Sequence, residues 1–257
     1  MIQMAQARSE EIPSAIPAGK ADTEASAALL PTEVTYLGGG QRYVVCAFYT
    51  PNYLPVVLHL KQSLEKFGLN YHLRCMEGRG SWEASTRLKP VFISECMEKF
   101  PDYDVLYLDA DAVVKRPLDL CDTITTDVAI FFAPVVKNGK HLLSISGGTV
   151  YLRNTPGGRK FAHLWMSEEQ NTHHLSVDED MIYMAFPKFD GITFTALPRS
   201  YYKIFDANGP EPVIEHFQAS RSQFKLSRFL RKGRRAMLAT TGGVALVIAT
   251  LLWLHII

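Results

Sequence analysis

Short runs rich in apolar, β-branched and aromatic residues recur along the chain: Tyr43–Tyr49 (YVVCAFY), Tyr71–Cys75, Val105–Leu108 (VLYL), Val128–Phe132 and Thr149–Leu152. Their length and composition predict buried strands. Between them the spacing shifts to the helical period. Pro55 opens a pattern through Val57, Leu60, Leu64 and Phe67, which Gly68 stops. Residues 90–100, opened by Pro90, have the same spacing, as do 157–168 and 177–185. Alternation of this kind predicts an α/β fold: a mixed, mostly parallel sheet flanked by helices on both faces. Ligands of such sheets bind beyond the carboxyl ends of the strands. No internal repeat is visible.

The two ends read differently. Residues 1–40, rich in Ala, Glu, Ser and Pro and closing on Gly38-Gly39-Gly40, predict a flexible leader without the pattern of a signal peptide. Residues 236–257 (AMLATTGGVALVIATLLWLHII) carry one ionisable side chain, His255. As a helix this run is about 33 Å long, enough for a hydrocarbon core of about 30 Å. It has no polar face, which a core helix of that length would show. Just before it, 221–235 interleaves Arg221, Lys225, Arg228, Arg231, Lys232, Arg234 and Arg235 with Phe224, Leu226, Phe229 and Leu230. That mixture suits an amphipathic segment lying on an anionic leaflet. Positive charge beside a span marks the cytoplasmic side. The expectation is therefore a single-pass membrane protein, anchored by its C-terminal helix, with residues 41–220 as a cytoplasmic domain.

Composition narrows the class. With 47% hydrophobic and 21% charged residues the chain is globular rather than disordered. A net charge of +1 supplies no global field for nucleic acid, and no nucleic-acid partner is expected. Cys46, Cys75, Cys96 and Cys121 form no C-x-x-C pair, and each lies in or beside an apolar run. They read as buried reduced thiols, although two disulfides remain possible on sequence alone.

Five segments carry candidate chemistry. In Leu108-Asp109-Ala110-Asp111-Ala112, a buried strand runs out into two carboxylates one residue apart. In extended backbone they point to the same side, and a metal would offset their repulsion. Far downstream, His216 in Val213-Ile214-Glu215-His216-Phe217 is placed to join them. Carboxylates, phosphate oxygens and one imidazole suit Mn²⁺ better than Mg²⁺. Gly147 and Gly148, in Ser146-Gly147-Gly148-Thr149, allow close approach of a ligand to the backbone before a strand. Ser176-Val177-Asp178-Glu179-Asp180 opens a helical segment, where Ser176 caps and the acids suit the helix dipole. Asp178 and Glu179 are also the candidate catalytic acids. Arg87 and Lys89, in Thr86-Arg87-Leu88-Lys89-Pro90, are candidate phosphate partners. Each segment also has a plainer reading: solvated acids in a turn, a packed histidine, a tight glycine turn, an acidic helix cap, a solvated helix start.

Taken in this order, the strand with LDADAVV, then SGGTVYL, VDED and EHF resemble the GT-A (Rossmann-like) class of nucleotide-diphospho-sugar transferases, glycogenin-like retaining enzymes above all, over about residues 42–220. The resemblance implies that Asp109, Asp111 and His216 bind Mn²⁺ or Mg²⁺, which grips the donor diphosphate. It implies that Tyr49, Arg87, Lys89, Asp109, Ala110, Gly147 and Gly148 line the nucleotide-sugar site, and it favours a UDP-sugar and a retained configuration. One departure stands out. The glycogenin-like pattern continues past its histidine to a Gly and a Lys-Pro-Trp, whereas this chain reads Phe217-Gln218-Ala219-Ser220-Arg221. Arg221 or Lys225 is left as substitute for the phosphate-binding lysine.

The expected function is hexosyl-type transfer from a nucleotide-sugar donor to a glycolipid or lipid-linked acceptor. The alternatives are a metal-dependent phosphohydrolase, which needs further ligands, and a non-catalytic tail-anchored adaptor, which needs no paired acids.

Overall fold

The computed structural model describes residues 30–137 and 139–220. Most of the predicted leader, the basic segment 221–235 with Arg221, and the apolar run 236–257 lie outside the described residues. Among the described residues no helix is long and apolar enough to cross a membrane.

In chain order the elements are β1 (Glu33–Tyr36), β2 (Tyr43–Tyr49), α1 (Leu54–Lys66), β3 (Tyr71–Cys75), α2 (Trp82–Thr86), α3 (Lys89–Lys99), β4 (Asp104–Leu108), β5 (Ala112–Val114), α4 (Asp119–Thr123), β6 (Val128–Lys137), β7 (Lys140–Leu152), α5 (Pro156–Ser167), α6 (Asp178–Ala185), β8 (Phe194–Ala196), β9 (Lys203–Ile204) and β10 (Ile214–His216). Seven strands form one sheet in the order β1-β3-β2-β4-β7-β6-β8. β2, β3, β4, β6 and β8 run one way; β1 and β7 run against them. The sheet is thus mixed and mostly parallel in strand direction.

Burial explains why β2 and β4 read as unbroken apolar runs. Along β2, Val44, Cys46 and Phe48 enter one core with Phe92, Met97, Phe161 and Trp165. Tyr43, Val45, Ala47 and Tyr49 enter the other, with Val57, Leu60 and Leu64 of α1. β4 divides its side chains the same way, Val105 and Tyr107 against Leu106 and Leu108. A strand covered on both faces has no position for a polar residue, and each fully buried aliphatic or aromatic side chain contributes about 1.5–3 kcal/mol. All four cysteines are free; three are buried and Cys75 is half-buried.

Local signals set the helix ends. α1 stops where Gly68 takes a positive φ of 59°. α5 starts at Pro156, and the Thr155 hydroxyl accepts from the Gly158 N–H at 3.1 Å. Three expectations change. Residues 33–36, assigned to the flexible leader, form edge strand β1 against β3. Thr149–Leu152 is the end of the much longer β7, which pairs with β6 out to Lys137 and Lys140. A second sheet, β5-β10-β9, is built from strands too short to show a period in sequence.

Candidate active site

The site starts where β4 ends. Leu108 is the last strand residue, and the Asp109 carbonyl accepts from the Ala112 N–H at 2.9 Å. The two acids therefore converge through a tight turn and not through strand alternation, a correction with a simple cause: the chain must reverse to enter β5. β5 then pairs antiparallel with β10, placing His216 opposite Ala112. The Phe217 N–H closes onto the Asp111 carbonyl at 3.0 Å. A histidine more than a hundred residues downstream is thereby seated on the acidic turn. The ligand atoms of Asp109, Asp111 and His216 all lie within 4.8 Å of one another.

Each of the three has one atom held by the protein and another left facing the cluster. The Thr149 hydroxyl donates to the Tyr201 carbonyl at 2.9 Å, so its oxygen accepts from His216 Nε2 at 2.9 Å. That fixes the tautomer: Nδ1 carries the lone pair and faces Asp111 Oδ1 at 3.9 Å. Asp111 Oδ2 accepts from the Ala219 N–H at 2.8 Å. This contact depends on Gln218, whose φ of 53° is the left-handed conformation non-glycine residues rarely take. Asp109 Oδ1 accepts from the Tyr107 hydroxyl at 3.1 Å and meets Lys89 Nζ at 2.9 Å. Its Oδ2 lies beside Gly148, where a Cβ would stand 2.9 Å from it and 2.7 Å from Tyr202 Cε2. Two carboxylate oxygens and an imidazole lone pair gathered around one point are the donor set of a divalent cation. A second hydrogen bond orienting a ligating imidazole is the usual companion of such a site.

Lys89 ties this cluster to the acids of α6. It is 4% exposed. Its Nζ donates to the Gly147 carbonyl at 3.0 Å and lies 2.7 Å from Asp178 Oδ2 and 2.9 Å from Asp109 Oδ1. Burial works against its charge, but the two carboxylates outweigh burial and hold the ammonium well above its ordinary range. Burial raises the Asp178 carboxyl against the pull of Lys89. Glu179 is pushed up to about 7 by burial and then by the charge of Asp178; its Oε1 accepts from the Ser146 hydroxyl at 3.1 Å. Trp165 Nε1 donates to the Asp178 carbonyl at 2.9 Å, so a core tryptophan pins the start of α6. Ser176 does not cap that helix. Val177 occupies the N-cap position, and its N–H is taken by Asp180 Oδ2 at 2.9 Å.

Lys89, Asp109, Asp111, Asp178, Glu179 and His216 line one cleft of about 400 Å³ at the carboxyl ends of β2 and β4, together with Tyr49, Tyr53, Trp82 and Thr86. Of the residues singled out in the sequence, Tyr49, Lys89, Asp109, Ala110, Asp111, Asp178, Glu179 and His216 line it. Arg87 lies away from the cleft, bonded to Glu169 at 3.2 Å and to the Ser176 carbonyl at 2.8 Å, where it braces the loop before α6. Gly147 and Gly148 fall inside β7, at a jump in its register against β6. The close approach they allow is by the protein's own side chains: a Cβ on Gly147 would stand 2.5 Å from Asp178 Oδ2. Tyr107, Thr149, Gln218 and Tyr202 went unassigned in sequence. Thr149 and Tyr202 act through hydrogen bonds and a ring contact with other segments, which leave no local signature, while Tyr107 bonds Asp109 two residues on and Gln218 acts through its backbone.

No protein-family model matches the chain, and no curated protein matches its sequence. Among solved structures, a glycosyltransferase involved in the glycosylation of the major capsid of PBCV-1 aligns with a TM-score of 0.55 at 16% identity, over 71% of this chain and 96% of that one. The glycosyltransferase GlyE of Streptococcus pneumoniae TIGR4 aligns at 0.42 and 19% identity, over 69% and 55%. The bifunctional glycosyltransferase WbbM aligns at 0.40 and 13%, over 70% and 46%. This chain spans nearly all of the first and about half of the other two. At these identities the likeness is one of fold, and it rests on the first: the chain shares the GT-A-like fold of that glycosyltransferase.

Proposed function

We propose that this protein is a metal-dependent glycosyltransferase, moving a hexose-type sugar from a nucleotide-diphosphate sugar to a membrane-associated acceptor. The observation that carries the proposal is the meeting of Asp109, Asp111 and His216 within 4.8 Å, in the cleft that Asp178 and Glu179 also line. The donor set favours Mn²⁺ over Mg²⁺. When bound, such a cation offsets the negative charge that builds on a departing diphosphate.

The chain's own residues supply the rest. Lys89 fixes Asp109 and Asp178 beside each other, so the metal cluster and the cleft acid keep one geometry. Asp178 presents its charge where an oxocarbenium-like sugar develops. Glu179, with a carboxyl poised near neutral pH, is suited to hold a proton on the acceptor side. Tyr49 and Ala110 shape the nucleotide end. UDP as the nucleotide and retention of configuration follow the resemblance seen in the sequence. A glycolipid or lipid-linked acceptor on the cytoplasmic face follows from residues 221–257, with Arg221 available to the donor phosphates.

The test is release of nucleotide diphosphate by the full chain, given Mn²⁺ and a panel of UDP- and GDP-sugars. Release by the wild type and a loss of at least a hundredfold in Asp111→Ala is the expected result. Release unchanged in Asp111→Ala, or no donor bound by either protein, refutes the proposal. Phosphohydrolase chemistry is less well served, because among the described residues the cluster has only these three members.

A further inference from the structure

A second groove opens on the far side of Asp111, which lines both spaces. Its volume is about 370 Å³, inside the range of about 300–1,000 Å³ typical of small-ligand pockets. The floor is apolar: Val56 of α1, Val113 and Val114 of β5, and Phe217. Val113 and Phe217 are half-buried and give the floor its accessible apolar surface, while Val56 and Val114 beneath are buried. The rim is cationic. Lys66 and Lys115 are exposed and His59 is half-buried, while Asp111 is the only acid among the described residues that line the groove. Lys115 is held at the Phe217 edge, its Nζ 5.4 Å from the ring centroid and 3.0 Å from Glu215 Oε2.

We propose that this groove binds an anionic amphiphile, a lipid phosphate whose head meets Lys66 and Lys115 and whose first methylenes lie on the valine–phenylalanine floor. This binding does not depend on the transferase reading above. Two observations select this occupant. An apolar floor with a cationic rim matches a ligand that joins alkyl carbon to negative charge, whereas a free sugar or a bare phosphate leaves the floor unused. The chain's own basic segment, with seven cations between Arg221 and Arg235, is repelled by Lys66 and Lys115 and makes a poor occupant.

The probe is dodecyl phosphate carrying a photoreactive diazirine in its alkyl chain, added to the full chain without metal or sugar nucleotide. Adducts are then mapped by peptide mass spectrometry. Labelling is expected on peptides carrying residues 56–66 and 111–117. It should fall at least tenfold in Lys66→Glu/Lys115→Glu, yield to unlabelled dodecyl phosphate, and resist inorganic phosphate and dodecyl glucoside. Circular dichroism checks the variant's fold, and Lys66→Gln/Lys115→Gln serves if the charge reversal does not fold. Adducts confined to residues 221–257, labelling untouched by the substitutions, or equal competition by inorganic phosphate or the neutral glucoside overturns the proposal. Because metal and donor are absent, failure here leaves the transferase reading standing, and failure of Asp111→Ala to alter transfer leaves this groove standing.

Discussion

Replacing Lys89 by methionine removes one buried cation and strands two carboxylates. Lys89 is 4% and Asp178 5% exposed, and their charged atoms are 2.7 Å apart. Breaking a buried ion pair from one side costs about 3–5 kcal/mol, because the remaining charge is left uncompensated. The Asp109 side chain is 36% exposed, so water takes over part of its share and the total stays within that range. For a domain of this size, about 2–4 °C of melting temperature goes with each kcal/mol, which predicts a fall of about 6–20 °C in Lys89→Met. The assay is thermal unfolding of the full chain in mild detergent at pH 7 with chelator, followed by circular dichroism. Two further outcomes identify the cause. Burial already raises the Asp178 carboxyl; without Lys89 it takes up a proton more readily, so the deficit shrinks on acidification. Adding Asp178→Asn to Lys89→Met removes the second buried charge and recovers about 1 kcal/mol or more, a coupling of the size found between contacting residues. A variant melting within about 2 °C of wild type, or Asp178→Asn adding its full separate cost, refutes the reasoning.

Other substitutions probe the remaining parts of the site. Thr149→Val removes the hydroxyl that fixes the His216 tautomer; Mn²⁺ affinity, read by calorimetry, should fall about 10–100-fold with little change in fold. Gly148→Ala places a Cβ 2.7 Å from Tyr202 Cε2 and 2.9 Å from Asp109 Oδ2, so the ring and the carboxylate must both move. Metal binding should weaken more than in Gly78→Ala, whose nearest contact is 3.4 Å. Glu179 titrates at about 7 in the folded chain against an ordinary 4.5. A raised carboxyl contributes stability that is complete below 4.5 and lost as pH climbs through about 7, about 3 kcal/mol in all. In melting curves across that interval, Glu179→Gln should flatten the decline, and a decline of the same slope in that variant removes Glu179 as its source.

Much of this was legible in sequence because it was local. Two-sided burial marks β2 and β4 by composition alone, and Pro55, Gly68 and Pro90 mark helix ends by their own backbone limits. The paired acids were recognisable because a buried strand ran straight into them. The part not legible depends on partners far away in sequence. Lys89 reads as a phosphate partner or a solvated helix start until β7 brings Gly147 and α6 brings Asp178 to it. Gly147 and Gly148 look like room for a ligand, yet the room is filled by Asp178, Asp109, His216 and Tyr202. Arg87 has the chemistry of a phosphate ligand and spends it on Glu169 and the Ser176 carbonyl. A charge names what a residue is able to bind; only the fold decides which candidate reaches it.

The small sheet shows how little chain is needed to complete the cluster. β10 contributes three residues, with Ile214 and His216 buried and Glu215 turned outward to Lys115. Strand alternation allows one register: a slip by one residue would send Ile214 and His216 to solvent and bring Glu215 and Phe217 inward. Ile214, wholly buried in the core on the α1 side, opposes that slip with its full burial energy, about 1.5–3 kcal/mol. The Glu215–Lys115 pair on the outer face opposes it more weakly. An apolar residue two positions away therefore holds His216 on the acidic turn, and the Phe217 and Ala219 N–H groups then lock Asp111 from the same segment. The expected affinity of this cluster for a cation therefore depends on the packing of β10 as well as on the acids that gave the site away.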